Sequence, residues 1–347
     1  MLLSMEDIQA AVSIDGLAHT IQTWQVTSGG TIAGGARTAQ VEVSAVIDTQ
    51  KTASNSQSVN YGAFAMASVC GALDWGGSGG TNSYTYNVAS GTFTYANGGH
   101  VGTNGNLTNG GNSVIHGSLS SPRSGVGACS AGNVDADTSS GNSTITSGIV
   151  HLSQPVVLPP PNIPPAGTTD INPPNHSTVL ASATPPGSYR DVNISTQSTL
   201  HLAAGTYNIN SITMGSHGSL VIDSGPVILN VTGGGSFAAM PIDFSSGSLT
   251  EGTVTYDSSK LQINYAGTGL IKITGGAATT AVVYAPRASA TLTGGGDFYG
   301  EIIANTIADT GGATIHYDSN LANRGLFTTV LYTPGNPMLS SFTWKKY

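Results

Sequence analysis

The fold this sequence predicts is all-β: an irregular parallel, right-handed β-solenoid in two lobes, with a short N-terminal helix. Three observations predict it. Short strand-like triplets recur roughly every nine or ten residues between residues 200 and 317, among them Leu200-His201-Leu202, Leu220-Val221-Ile222, Ile271-Lys272-Ile273 and Thr314-Ile315-His316. Glycine clusters punctuate them at Gly275-Gly276, Gly294 to Gly296 and Gly311-Gly312, so successive clusters start 19 and 17 residues apart. Charged residues make up only 8% of the 347 residues while Gly supplies 47, a composition poor in helix formers.

Strands of three or four residues cannot stand alone, because even a paired hairpin of that size is marginal in water. Winding the chain so that each lies on the strand one coil below supplies the missing hydrogen-bond partners and stacks Leu, Ile and Val into a continuous core. Glycine suits the corners, where the backbone adopts angles that other residues avoid. Unequal coil lengths make the expected solenoid irregular. The net charge of -8, with acidic residues scattered rather than clustered, gives no basic footprint for nucleic acid.

Taken in order, residues 1 to 60 open the chain. Ile8, Val12, Ile14 or Leu17, Ile21 and Trp24 fall near helical spacing after Ser4 and Glu6-Asp7, which predicts a short amphipathic helix. The segment lacks the basic start and apolar run of a signal peptide, and no window reaches the roughly twenty apolar residues of a membrane span. An export or anchoring segment is therefore expected to have been cleaved or left out of this sequence. Residues 40 to 48 alternate as a strand, and residues 61 to 69 are small and apolar, either a buried strand or a short helix.

Residues 61 to 153 form the first, smaller solenoid, with short strands such as Thr81 to Tyr86 and Asn112 to Gly117 between Asn-Gly and Gly-Gly corners. Residues 154 to 187 change character, since ten of the sixteen prolines fall between Pro155 and Pro186, and predict an extended, semi-rigid linker. The second solenoid occupies residues 188 to 325. Residues 326 to 347 supply a last strand and an aromatic tail, serving either as a cap over the open coil or as a pairing surface, with Trp344 and Tyr347 as candidate assembly contacts.

Several runs resemble a known domain: Thr206-Tyr207 within LAAGTYNINSITM, Gly225 to Val231, Val283 to Ala288, Gly295 to Gly300 and Ile315 to Leu321. They are similar to an uncharacterised β-solenoid domain of bacterial envelope proteins of the PilX and TadG type, linked with type IV and Tad pilus assembly. The first half resembles the same proteins from Tyr61-Gly62-Ala63-Phe64 through Cys70 to Ser121-Pro122-Arg123, so the likeness covers most of residues 40 to 325. It implies a surface location and a pilus-associated role. A looser resemblance, to ice-binding-like adhesion domains, rests on Gly205-Thr206-Tyr207 and on Thr-x-Thr at Thr253 to Thr255 and Thr291 to Thr293.

Chemistry-bearing residues are sparse. His316 and Asp318, two apart in a strand, share one side and read as a structural polar pair rather than a catalytic site. Asp297 and Glu301 offer the paired carboxylates of a glycosidase only if a turn at Gly300 brings them together. The histidines are dispersed, with no zinc-ligand spacing, and no Gly-Lys-Ser/Thr phosphate cradle occurs. No catalytic, cofactor or metal residue is therefore expected. Cys70 and Cys129, the only cysteines, predict a disulfide that closes a long loop and contributes roughly 3 to 5 kcal/mol.

The leading expectation is a non-enzymatic structural or adhesive cell-surface protein, a pilus-associated subunit or extracellular filament component. Its partners would be copies of itself or other pilus and envelope proteins. The alternative is a carbohydrate- or ice-binding surface module, with Tyr84, Tyr86, Phe93 and Tyr95 as an aromatic groove for a surface glycan; a polysaccharide-active β-helix enzyme stands behind it.

Overall fold

A computed structural model describes residues 2–14, 17–34, 37–58, 60–125, 135–138, 140–251, 256–274, 278–323, 328–334 and 338–346. The chain is all-β and divides into two compact units, Met1–Ser58 with Thr328–Tyr347, and Val59–Phe327.

In the first unit the strands Leu2–Ile14, Leu17–Gly34, Arg37–Ser58, Thr328–Pro334 and Met338–Lys346 form one antiparallel sheet. This corrects the expected N-terminal helix. Ile8, Ala10, Val12 and Ile14 also recur at every second residue, and they pair in register with Thr23, Ile21, His19 and Leu17. Period two and helical spacing overlap in so short a run, and β-branched Ile, Val and Thr tip the balance toward strand. The aromatic tail is a strand too, with Trp344 in register with Val43, so it belongs to this sheet. Tyr347 lies outside the described residues.

The second unit is a sheet of 25 strands, parallel except for the hairpin of Gly80–Asn87 with Thr92–Ala96. From Thr178–Val179 to Ser248–Glu251 each strand pairs with the third strand after it, so this part of the chain rises in rungs of three. The register lines up like residues through the stack. Val192, Ile212, Ile242, Ile271, Ala290, Ile307, Leu73 and Leu107 follow one another in one buried column. A second column runs Tyr207, Leu229, Ile263, Val283, Ile302, Ala63, Val101 and Leu119. Each Val, Leu or Ile of these columns taken from water stabilises the stack by about 1.5 to 3 kcal/mol, and this burial rather than any single rung holds short strands in place.

Those columns overturn the expected two lobes. Ile302 pairs with Ala63, and Thr314–Asp318 pairs with Gly80–Tyr84, so the last rung of the C-terminal segment carries the first rung of the N-terminal one. The chain enters the stack in its middle, winds to one end, returns to the other, and winds back. Corners repeat in both halves: the hydroxyls of Ser113, Ser143, Ser177 and Ser198 each donate to the carbonyl three residues earlier, at 2.7, 2.9, 2.6 and 2.5 Å.

The proline-rich segment is the return path rather than a joint between lobes. Val156 and Leu158 are buried against Phe64, Val282, Tyr284 and Ile303, while Val157 between them is 75% exposed. Asn104 holds the strap as a strand partner would: its Oδ1 accepts from Val156 N at 2.8 Å, and its Nδ2 donates to Val156 O at 2.7 Å and to Met66 O at 2.9 Å. Further along, the Tyr284 hydroxyl donates to Pro159 O. Proline offers no N–H to a ladder, so side chains make the attachment that a backbone cannot. By Ile171 the segment has joined the rungs, bridging to Val192, and Thr178–Val179 and Gly187–Ser188 are already strands of the stack.

Candidate functional site

Polar and aromatic side chains gather on the outer face where Phe298–Asp309, Thr314–Asp318 and Gly80–Asn87 lie side by side. Register places Tyr299, His316 and Asn82 in line on the three strands. The His316 ring stacks on Tyr299 with centroids 4.5 Å apart, and its Nδ1 lies 2.6 Å from Asn82 Oδ1. Its Nε2 stands 3.4 Å from Asp297 Oδ2 without hydrogen-bond alignment, an electrostatic contact. The imidazole beside it holds the Asp297 carboxyl below the ordinary carboxylate range.

Asp318 takes different partners. It accepts from Ser258 Oγ at 2.9 Å and from Asn320 N at 3.0 Å, and burial raises its pKa. Both residues of the expected polar pair are thus buried and bonded, but to other groups and not to each other. Asn82 and Ser258 were not legible as partners, because each lies far along the chain and only the register brings it near. Asp297 and Glu301 do not form a catalytic pair either: Asp297 is 43% exposed, whereas Glu301 is wholly buried, with a carboxyl that desolvation pushes far up. A proton donor and a base serving one glycosidic bond must both reach it.

The four aromatics of the proposed groove sit on the hairpin, Tyr84 opposite Tyr95 and Tyr86 opposite Phe93. They pack on one another and on Tyr256 and Tyr299. Phe93 meets Tyr256 edge-on at 4.6 Å, and Tyr95 lies between Phe93 at 5.6 Å and His316 at 5.1 Å. These ring contacts fasten the hairpin to the stack; Tyr84 is buried, Tyr86 and Phe93 are half-buried, and Tyr95 is 48% exposed. A shallow groove beside them, lined by Ser78, Gly79, Gly80, Asn82, His116 and Thr314, exists because Gly80 places no side chain between Thr314 and Val114.

Among the described residues no cluster of His, Cys, Asp or Glu is arranged to hold a metal ion. Thr291 stands in its column between Lys272 and Ala308, so Thr-x-Thr does not extend into a flat array; Thr253 to Thr255 lie outside the described residues. No free cysteine occurs among the described residues; Cys70 is exposed, and Cys129 lies outside them. No helix of the described residues is long and apolar enough to cross a membrane.

Against known proteins, no curated protein matches. A solved structure, the competence-associated pilin ComZ from Thermus thermophilus, aligns over 99% of this chain and 88% of its own at 13% identity and a TM-score of 0.25, a likeness too low to carry an argument. Over residues 174–324 the chain is similar to a family described as a domain of unknown function, DUF7305.

Proposed function

We propose that this protein is a non-enzymatic structural or adhesive component of the bacterial cell surface, a pilus-associated subunit whose larger unit is a rigid right-handed β-solenoid. One observation carries the reading: apolar columns run without interruption through rungs drawn from both ends of the chain, as Ile302 on Ala63 and Ile307 on Leu73. A stack built this way is stiff along its length. Parallel β crossovers are right-handed in nearly all cases, which supports that hand. Connectivity adds to it, since the larger unit is inserted between two strands that pair with each other at Ser58 and Thr328. The sequence resemblance to PilX and TadG type proteins supports the pilus association, and the extracellular setting suits a disulfide between Cys70 and Cys129.

Immunogold microscopy of intact cells, with antibody to residues 60–323, tests the proposal. Label on the outer surface and on sheared pili is the expected result. Label that appears only after permeabilisation, or hydrolysis of glycans by the purified chain, contradicts it.

A further inference from the structure

One inner column changes character at the seam between the two halves of the chain. Leu292, fully buried, is followed in register by Asp309, then Trp75, then Asn109. All three are buried, with relative exposures of 1%, 0% and 0%. Asp309 closes the C-terminal set of rungs, whereas Trp75 and Asn109 belong to the first two rungs of the N-terminal set. The Asp309 carboxylate is fixed in place, its Oδ1 accepting from the backbone N–H groups of Gly311, Gly312 and Ala313 at 3.0, 3.0 and 3.2 Å.

Four buried polar atoms nonetheless have no hydrogen-bond partner among the described residues: Asp309 Oδ2, Trp75 Nε1, Asn109 Oδ1 and Asn109 Nδ2. Folded proteins leave few such atoms unmade, because each forfeits its bonds to solvent. Parallel rungs stand about 4.8 Å apart, a spacing that a small ligand bridges and a direct bond between neighbouring rungs does not always reach. The chemistry of the set names the ligand. Two atoms donate, the indole and the amide nitrogens, and two accept, the amide and carboxylate oxygens. A metal ion would face two N–H dipoles pointing the wrong way, and an anion would face the carboxylate. Water alone both donates and accepts.

We propose that ordered water is bound inside the stack between the rungs of Asp309, Trp75 and Asn109, joining segments of the chain that are distant in sequence. The site lies in the core, with Asp309 Oδ2 close to Gly79 at the inner edge of the groove.

The test is water-to-amide NOE and ROE spectroscopy on the full chain. Of its three tryptophans, Trp24 and Trp344 lie in the other unit, so Trp24→Phe and Trp344→Phe identify the Trp75 indole signal without touching the site. That indole N–H is expected to give a cross-peak to water with the sign of a long-lived contact and to exchange slowly. A crystal structure at better than about 1.5 Å should place a water oxygen within about 3.2 Å of at least one donor and one acceptor of the set. A Trp75 indole without the cross-peak, four atoms bonded directly to one another, or density about 2.3 Å from the two oxygens as for a calcium ion would each overturn the proposal.

Discussion

Replacing Asn104 tests the strap. In the native structure its amide makes three hydrogen bonds, of which the two to the backbone groups of Val156 are buried. Asn104→Ala leaves the Val156 N–H and C=O buried without partners, and each such orphan costs about 1 to 3 kcal/mol. Some relaxation of the strap offsets part of that, so a loss of roughly 3 kcal/mol is expected. Asn104→Asp is a sharper probe, because it keeps the shape and the acceptor for Val156 N but sets a carboxylate against the carbonyls of Val156 and Met66. Its defect should exceed that of alanine above neutral pH and shrink in acid, where the protonated carboxyl can donate again. Hydrogen exchange read at the Val156 amide, with limited proteolysis of residues 153–166, follows the strap directly. Native-like protection at Val156 in the alanine variant would refute the account of a side chain standing in for a strand.

Four other outcomes follow from the same structure. Glu301 is wholly buried with its pKa far raised by desolvation, so the folded state holds a proton that the unfolded state releases near pH 4.3; the stability from this group is present below that value and falls as pH climbs toward the raised one, by up to about 1.4 kcal/mol per pH unit. Urea midpoints should therefore show Glu301→Gln more stable than wild type at pH 8, with the difference shrinking at pH 4. Gly80→Ala would place a Cβ 2.1 Å from Val114 O, and prying two rungs apart should cost about 1 to 3 kcal/mol in thermal denaturation. Asp318→Ala removes the acceptor for Ser258 and should destabilise by roughly 1 to 3 kcal/mol, with faster exchange at residues 256–260. On the proposed Cys70–Cys129 disulfide, thiol titration of the unreduced, denatured protein should find no free cysteine, and Cys70→Ser should lower stability by about 4 kcal/mol.

Much of the fold was legible because it rests on local signals. Alternation in Leu200-His201-Leu202 and glycine at the corners both mark short strands in rising rungs. The serine corner was not singled out, although Asn112-Ser113-Val114-Ile115 and Gln197-Ser198-Thr199-Leu200 carry the same serine before the same kind of strand, because a serine before a strand is too common to mark a corner by itself. Rung order was not legible. Nothing near Ala63 says that its partner is Ile302, because parallel pairing between segments distant in sequence leaves no local trace. The proline-rich segment misled for a related reason: its composition fixes an extended backbone but not what lies beneath it, and Asn104, which holds it, is 52 residues away. At the N-terminus, Ile8 and Val12 satisfy two periodicities at once, and pairing with Leu17–Gly34 decided between them. His316 and Asp318 were legible as polar residues on one strand face, but not their partners: Asn82 lies 234 residues from His316 and only the register brings it near.

The central claim is that the N-terminal rungs sit on the C-terminal ones, and cross-linking at the seam tests it most directly. Asp74 and Ala308 are register partners at half-buried positions, so a double variant, Asp74→Cys with Ala308→Cys, brings two Cα atoms to about 5 Å, within the span of a disulfide. Peptide mapping by mass spectrometry is expected to recover residue 74 linked to residue 308 within a single chain under mild oxidation. Failure to form that bond in a folded protein, or its appearance only between two chains, would contradict the single continuous stack.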